Sequence, residues 1–178
     1  MEPEKLREVI GQLEDLNYCI MSGYAVKIYA DPERECGDID LIVEHEDLYK
    51  LAERLGTKVE RRIEDYGSYG INDYGFETKY KGVEVEASSG FPRERFKEGK
   101  MEKVLDSKVE KEFRGVNVYV EPLEELVVHK ANNDRKKDWR DIEKLSKKDI
   151  DKELLKEFAE DWGRPEVLEK LEEKGYWL

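Results

Sequence analysis

The sequence predicts an α+β fold: a mixed β-sheet flanked by helices, with a C-terminal helical extension. Three observations lead to this prediction. Short apolar runs bounded by Gly, Pro and Asp have the length of strands. Two pairs of alternating segments are joined by two residues that end in Gly, and apolar residues from 121 onward recur at helical spacing. We therefore expect a core over residues 1–120 and a helical region over 121–178 that packs on it.

The composition is that of a folded, acidic protein. The chain has 178 residues, 43% of them charged, and a formal net charge of −12. Its ten Tyr, five Phe and three Trp argue against disorder, and its many Glu and Lys residues are also typical of thermophilic proteins. No long basic block is present, so sequence-independent binding of nucleic acid is disfavoured rather than ruled out.

Cysteine usage and apolar runs point to a soluble cytoplasmic protein without a membrane partner. Cys19 and Cys36 are the only cysteines, and with His45 and His129 scattered they do not form a zinc-ligand pattern. The apolar runs are far too short to span a membrane, and the acidic N-terminus lacks targeting character.

The first third of the chain alternates between helical and strand patterns. Helical spacing over 3–16 precedes a short strand over Tyr18–Met21, and a second helix after Ser22-Gly23 should end before Asp31-Pro32, since the residue before Pro disfavours helix. Residues 38–44 read as a strand buried on both faces. A helix over 45–55 follows, for which Gly56 provides the C-terminal stop.

The middle of the chain contains two predicted hairpins. Their turns are Lys81-Gly82, between strands over 76–80 and 83–87, and Arg114-Gly115, between strands over 109–113 and 116–120. A further strand is predicted over 58–63. The pattern over 65–75 indicates an irregular connection or lid. The sequence over 88–106 predicts no particular secondary structure. The remaining helices carry apolar stripes that begin at Leu123, Trp139, Leu154 and Val167.

Two carboxylates open the strand at residue 38. Side chains alternate between the faces of a strand, so Asp38 and Asp40 point the same way and Ile39 the other. Such a pair can hold one cation, or two cations about 3.5–4 Å apart, and Mg²⁺ prefers oxygen ligands together with substrate phosphates. The D-x-D motif is short, and taken alone it favours solvated residues at a strand entrance.

The Ser22-Gly23 turn lies between an apolar strand and a predicted helix. A glycine lets a phosphate approach the backbone closely, and a helix N-terminus offers free N–H donors and a favourable dipole. The Ser22 hydroxyl adds a further donor. The alternative is an ordinary turn in which Ser22 caps the helix.

A third carboxylate is available on the strand over 83–87. Glu84 and Glu86 share one face, opposite Val83 and Val85. Either residue could complete a metal site and accept a proton from an attacking hydroxyl. The alternative is a half-exposed strand whose acidic face lies in water.

The order of these motifs resembles the DNA polymerase β-type nucleotidyltransferase superfamily. Ser22-Gly23-x-Ala25 is followed by a short helix and by Arg34-Glu-Cys36-Gly-Asp38-Ile-Asp40, which is similar to the superfamily's R-x-[TSC]-x-D-x-D. Minimal, toxin–antitoxin and antibiotic nucleotidyltransferases are the most similar members. The resemblance covers roughly residues 17–145, and its fold implication is a nucleotidyltransferase-like mixed sheet.

Downstream residues extend the resemblance. Gly82-Val-Glu-Val-Glu86 is similar to the strand that carries the third carboxylate, and the register favours Glu86. Residues 122–141 resemble the helical stretch after the superfamily's core. Three departures stand out: Ser22-Gly23 replaces Gly-Gly or Gly-Ser, Glu86 replaces an Asp, and Cys36 replaces Thr or Ser.

The resemblance implies Mg²⁺-dependent nucleotidyl transfer from a nucleoside triphosphate, with ATP as the expected donor. Asp38 and Asp40 would hold two Mg²⁺ ions, and Glu86 would bind the second ion and act as base or lower the acceptor's pKa through the metal. Ser22 and the Gly23 N–H would hold the β- and γ-phosphates.

The helical region contributes one more candidate. Lys130 is expected to make an additional triphosphate contact, and the alternative is an ordinary solvated lysine. Arg135 and Lys137 are interpreted as structural partners of the aspartates at helical spacing, Asp138 and Asp141. Arg34 either steadies the carboxylate strand or faces solvent.

Other functions stay open at this stage. The acceptor hydroxyl could belong to a small molecule, a protein side chain or an RNA end. The acidic balance disfavours RNA, and Glu-rich helices suit a cationic acceptor such as an aminoglycoside. One alternative is a catalytically weak nucleotidyltransferase-fold protein in a toxin–antitoxin or similar complex. Another is an unrelated α/β domain with a coincidental D-x-D. A homo-oligomer is also conceivable, since Tyr176-Trp177-Leu178 could pack on a neighbouring chain.

Overall fold

The computed structural model describes residues 3–65, 70–89 and 100–177, in which a seven-stranded mixed sheet is surrounded by helices. The elements in chain order are α1 Pro3–Gly11, β1 Tyr18–Met21, α2 Ser22–Tyr29, β2 Asp38–Val43, α3 His45–Leu55, β3 Glu60–Asp65, β4 Gly70–Tyr80, β5 Val83–Ser88, α4 Lys100–Ser107, β6 Val109–Phe113, β7 Val116–Val120, α5 Leu123–Asn133, α6 Lys136–Leu145, α7 Lys152–Asp161 and α8 Glu166–Glu173. The predicted α+β class with a mixed sheet is confirmed.

The sheet has the strand order β3-β4-β5-β2-β1-β7-β6. β2 runs parallel to β5, and β1 runs parallel to β7, whereas the other neighbours are antiparallel. β2 therefore lies in the middle of the sheet, between β5, which carries Glu84 and Glu86, and β1, which leads into the Ser22-Gly23 turn. All four residues of β1 are buried, and so are the last three of β2, as expected for central strands.

Both predicted hairpins are present, and their turns explain why they form. Lys81 and Gly82 have φ angles of 47° and 86°, and Arg114 and Gly115 have φ angles of 54° and 75°. Two consecutive residues with positive φ give the turn whose twist matches that of the flanking strands, and Gly at the second position carries no steric penalty there. Gly56, with φ of 72°, ends α3 as predicted.

Three segments differ from the sequence prediction. α1 ends at Gly11 rather than at residue 16, although Leu13 and Leu16 are still buried through the turns that follow. Residues 70–75, predicted as irregular, belong to β4 and pair with β3, because the ladder overrides the unfavourable Gly and Asn composition. α4 occupies the end of the unassigned stretch over 88–106. Residues 66–69 and 90–99 lie outside the described residues.

The second helix joins the sheet to the helical region. Tyr24 of α2 lies in the apolar cluster over the sheet, whereas Ala25 and Val26 lie in a second cluster. The second cluster contains the buried apolar stripes of α5 to α8, namely Leu126, Val127, Val128, Ala131, Ile142, Leu145, Leu155, Phe158, Ala159, Trp162, Val167 and Leu171. This packing fixes α2, whose N-terminus follows β1. The domain boundary at residue 120 stays a prediction.

No helix among the described residues is both long enough and apolar enough to cross a membrane.

Candidate functional site

Strand register brings the predicted carboxylates to one place in the sheet. Asp40 of β2 pairs with Glu86 of β5. Asp38 pairs with Glu84, two residues nearer the N-terminal end of both strands. On the other side of β2, Asp40 pairs with Met21, the residue before Ser22. Three strands thus align the D-x-D motif, the third carboxylate and the Ser-Gly turn.

The two candidates for the third carboxylate differ in their surroundings. Glu84 is exposed and forms a surface ion pair with Lys79, with 3.7 Å between Nζ and Oε1. Glu86 is half-buried, and its charge acts directly on Asp40. The register and this electrostatic coupling both favour Glu86 over Glu84.

Asp40 carries the clearest electrostatic signature. Burial raises the pKa of its carboxyl to about 6, and the negative charges of Asp38 and Glu86 add to the increase. His129 and a hydrogen bond from the Ser22 side chain act in the opposite direction. A carboxylate with a pKa raised by burial and by like charges is typical of functional sites.

Ser22 adopts an unusual backbone conformation beside Asp40. Its φ angle is 57°, in the left-handed region that is costly for a residue with a Cβ atom. Its N–H donates a hydrogen bond to Oε1 of Glu121 at 2.5 Å, and its hydroxyl donates to Asp40. Ser22 is the first residue of α2 rather than its cap, since Met21 precedes the helix without a side-chain cap bond. The capping alternative is therefore wrong.

The side chain of Arg34 explains why residue 23 is a glycine. A Cβ atom on Gly23 would lie 3.0 Å from Nη1 of Arg34, too close without a shift of the guanidinium. That guanidinium donates two hydrogen bonds of 3.0 Å to Asp141 and a third to Sγ of Cys36. Cys36 in turn donates to the Gly23 carbonyl oxygen. Arg34 thus ties the Ser-Gly turn to α6, and the alternative of an Arg34 that faces solvent is wrong. Its role in steadying the carboxylate strand stays a prediction.

Lys130 is buried against Asp138 and Asp141 of α6. Its side chain is 2% exposed, and its ammonium lies 3.3 Å from Asp138 and 3.2 Å from Asp141. The alternative of a solvated lysine is therefore wrong. Arg135 also pairs with Asp138, as predicted from their helical spacing. Lys130 belongs to an ion-pair cluster that includes Arg34 through their shared partner Asp141.

Two residues next to the site were missed by sequence reasoning. Glu121 is fully buried at the corner between β7 and α5, and Oε2 of its carboxylate lies 3.4 Å from Nδ1 of His129. The ring of His129 packs at 5.3 Å, between centroids, from that of Trp162. Glu121 gives no local signal in the sequence. His129 stands next to Lys130 on a predicted helix, which could have marked it as facing the same region.

The carboxylates suit a hard divalent cation by their chemistry. Asp38, Asp40 and Glu86 offer oxygen ligands from neighbouring strands, and their mutual repulsion is relieved by a positive charge. In the part of the chain that the structure describes, no three His, Cys, Asp or Glu side chains already converge on one point. Asp38, Asp40 and Glu86 could hold a cation only after their side chains rotate. The feature that fits a cation is the backbone register of β2 and β5, which places these three carboxylates on neighbouring strands.

A cleft of about 300 Å³ opens beside the same carboxylates. It is lined by Asp38 of β2, by Glu84, Val85 and Glu86 of β5, and by Glu77, Thr78 and Lys79 of β4. The cleft therefore gives access to Asp38 and Glu86 from the side of β4.

Sequence comparison identifies one matching family model. Residues 3–175 match the family described as "Nucleotidyltransferase of unknown function (DUF6036)". No curated protein has a sequence significantly similar to that of the chain.

Similar folds occur among solved structures. A protein of Thermotoga maritima proposed to be a nucleotidyltransferase has a TM-score of 0.57 and 20% identity over 79% of this chain and 89% of its own. An antigenic nucleotidyltransferase-like protein of Paracoccidioides brasiliensis has a TM-score of 0.59 and 17% identity over 98% of this chain and 90% of its own. ANT(2″)-Ia in complex with adenylyl-2″-tobramycin has a TM-score of 0.51 and 14% identity over 81% of this chain and 87% of its own. At these identities the likeness is one of fold.

Proposed function

The chain belongs to the DUF6036 family of nucleotidyltransferases, and from this premise we propose that it transfers a nucleoside monophosphate from a nucleoside triphosphate to an acceptor hydroxyl. The observation that carries the proposal is the alignment of Asp40 with Glu86 across the parallel strands β2 and β5. Asp38 lies on the same face of β2, and Ser22 lies beside Asp40. A metal-binding group and a phosphate-binding turn would thus meet at one point.

The carboxylates are assigned by their position. Asp38 and Asp40 would hold two Mg²⁺ ions, which supply charge neutralisation of the triphosphate and activation of the acceptor hydroxyl. Glu86 would share the second ion and take the hydroxyl proton, directly or through the ion's effect on the hydroxyl's pKa. Its half-buried place next to Asp40 supports this role over Glu84.

The Ser22-Gly23 turn would hold the triphosphate. It forms the amino end of α2, where helix N–H groups and the helix dipole favour anions. The Ser22 N–H is engaged by Glu121 and the Ser22 hydroxyl by Asp40. The Gly23 N–H is therefore the first proposed phosphate donor, and the Ser22 hydroxyl would donate to a phosphate by leaving Asp40. Lys130 stays a proposed triphosphate contact, which it would make by leaving Asp138 and Asp141.

The chemical step is a substitution at the α-phosphorus. The acceptor oxygen forms a bond to the α-phosphorus, the bond from that phosphorus to the bridging oxygen breaks, and pyrophosphate leaves. The acceptor's proton passes to Glu86. The cleft beside Asp38 and Glu86 supplies an approach for the acceptor. The protein's acidic balance favours a neutral or cationic acceptor over RNA.

A labelling experiment tests this function. The protein is incubated with Mg²⁺, an α-³²P-labelled nucleoside triphosphate and a cell extract, with ATP as the first donor, and labelled products are separated. We expect a labelled acceptor from the wild type and none from Asp38→Ala or Glu86→Ala. Glu84→Ala compares the two candidate carboxylates of β5. Because Glu84 also lines the cleft, we expect this variant to retain more labelling than Glu86→Ala without matching the wild type. Labelling that survives Asp38→Ala would show that the assigned site is wrong.

The catalytically weak alternative makes the opposite prediction for the wild type. In that case no acceptor becomes labelled from any of the four nucleoside triphosphates, although the chain is folded. None of the described contacts favours that alternative over transfer. A toxin–antitoxin partner and a homo-oligomer stay predictions.

A further inference from the structure

The turn between β1 and α2 is supported from behind by Glu121. The side chain of Glu121 is fully buried, and its Oε1 accepts the hydrogen bond from the Ser22 N–H. Its main chain is fixed on both sides, because its N–H donates to the Ile20 carbonyl at 3.0 Å and its carbonyl accepts from the Tyr29 hydroxyl at 3.0 Å. The carboxylate therefore sits on a rigid corner of the fold.

Ser22 needs such a support. Its left-handed backbone, with φ of 57°, is costly for a serine and persists only where the surroundings determine it strongly. A hydrogen bond from an N–H to a charged carboxylate is stronger than one between neutral groups. The bond to Glu121 can therefore hold Ser22 in a conformation that the residue would otherwise leave.

The conformation of Ser22 matters because of what its hydroxyl reaches. With the N–H directed at Glu121, the Ser22 hydroxyl points to Asp40, whose backbone pairs with that of Met21. Rotation of Ser22 out of the left-handed region would turn this hydroxyl away. A contact to a proposed metal ligand thus depends on Glu121, a carboxylate that is fully buried.

A second contact ties Glu121 to the same site. Its Oε2 has no hydrogen-bond partner within the described residues but lies 3.4 Å from Nδ1 of His129, which also acts on Asp40. The His129 ring packs beside Trp162, whose Nε1 donates to the buried Glu125 at 2.9 Å. His129 is therefore held between the buried carboxylate and the site.

We propose that Glu121 is a positioning residue, which holds Ser22 in its left-handed conformation and so aims the Ser22 hydroxyl at Asp40. This inference rests on the proposed function, since it treats Asp40 as a ligand in nucleotide binding. Its structural part stands independently of any substrate. The two parts therefore have separate readouts.

The first readout is made on the full chain without nucleotide. Amide hydrogen exchange and residual dipolar couplings of Ser22 are measured by NMR in the wild type, Glu121→Ala and Glu121→Gln. We expect a protected amide and a positive φ in the wild type. Exchange should be faster by about tenfold in Glu121→Gln, which keeps a neutral acceptor, and protection should be lost in Glu121→Ala.

Glu125→Gln is the matched control. It neutralises another fully buried glutamate on α5 that bonds Trp162 rather than Ser22. It should leave the Ser22 exchange rate unchanged even where it lowers overall stability. If Glu121→Ala does not fold, the exchange rates of the Ser22 amide in Glu121→Gln and Glu125→Gln are compared instead, and the proposal requires faster exchange in Glu121→Gln. An unprotected Ser22 amide in the wild type, or equal protection in all variants, overturns the proposal.

The second readout is the affinity for ATP with Mg²⁺, measured by calorimetry. Glu121→Ala should weaken the affinity by about tenfold or more, Glu121→Gln should retain most of it, and Glu125→Gln should match the wild type. Equal affinities in Glu121→Ala and the wild type overturn the link from Glu121 to the site. If the wild type itself does not bind ATP, the proposed function fails, and the exchange measurement still decides the role of Glu121.

Discussion

Arg34 and Asp141 face each other in a bidentate ion pair that joins the loop before β2 to helix α6. Nε of Arg34 lies 3.0 Å from Oδ1 of Asp141, and Nη2 lies 3.0 Å from Oδ2. The two side chains are 19% and 5% exposed, so water screens the pair only weakly. Because Asp141 also contacts Lys130, the pair connects the Ser-Gly turn to the ion-pair cluster of the helical region.

Removing Asp141 should destabilise the protein strongly. Asp141→Asn leaves the charges of Arg34 and Lys130 with less compensation in a buried place, so we expect a loss of about 3 kcal/mol in the free energy of unfolding, measured with urea. Asp15→Asn is the control, since Asp15 also forms a two-bond pair with an arginine, Arg54, but is 71% exposed. That change should cost under about 1 kcal/mol. Similar losses at both positions would contradict this view of Asp141.

Gly23 should be intolerant of a methyl group because of Arg34. Gly23→Ala places a Cβ atom 3.0 Å from Nη1 of Arg34, and we expect a loss of about 1–3 kcal/mol in unfolding free energy. The loss should largely vanish in an Arg34→Ala background, because the clash is then absent. Gly37→Ala is the control, since a Cβ atom there would meet nothing within 4 Å. Additive losses for Gly23→Ala and Arg34→Ala would exclude the clash as the cause.

The ion-pair cluster should make stability depend on pH through Asp138. Burial alone would raise the pKa of this carboxyl, but Arg135 and Lys130 outweigh burial and lower it. A carboxyl with a lowered pKa in the folded state stabilises the protein above its unfolded pKa of about 3.9 and loses that contribution as the pH falls through the folded pKa. The wild type should therefore exceed Asp138→Asn in unfolding free energy by about 3 kcal/mol at pH 7. This difference in unfolding free energy between the wild type and Asp138→Asn should decrease below about pH 4. A gap of the same size at pH 7 and pH 3 would contradict the prediction.

Much of the fold could be predicted because its signals are local. The turns at Gly82 and Gly115, the helix stop at Gly56 and the buried strand after Asp40 all follow from short patterns, and the structure confirms them. The resemblance to nucleotidyltransferases is confirmed by the family match, so the alternative of an unrelated α/β domain is wrong. The strand over 70–75 could not be predicted, because its pairing with β3 depends on partners rather than on its own composition.

The surroundings of the site depend on long-range contacts that the sequence does not reveal. Glu121 reaches Ser22 only because β7 runs parallel to β1, where Val120 pairs with Ile20. Nothing in the motif around Ser22 indicates its positive φ. In the same way, the sequence predicts a triphosphate contact or a solvated lysine for Lys130, and it does not reveal the two aspartates of α6 that lie against it. Motifs therefore identified the candidate ligands, and the topology supplied the residues around them.

Binding of ATP by calorimetry, with and without Mg²⁺, is the most direct test of the assigned site. We expect the wild type to bind ATP tightly only when Mg²⁺ is present, because the carboxylates would otherwise repel the triphosphate. Asp40→Asn should weaken that binding by at least about tenfold, since it removes a charged ligand from the centre of the site, whereas Glu84→Gln should bind as the wild type does. ATP binding that is equally tight without Mg²⁺, or that is unchanged in Asp40→Asn, would contradict the assignment of Asp38, Asp40 and Glu86 as the metal and nucleotide site.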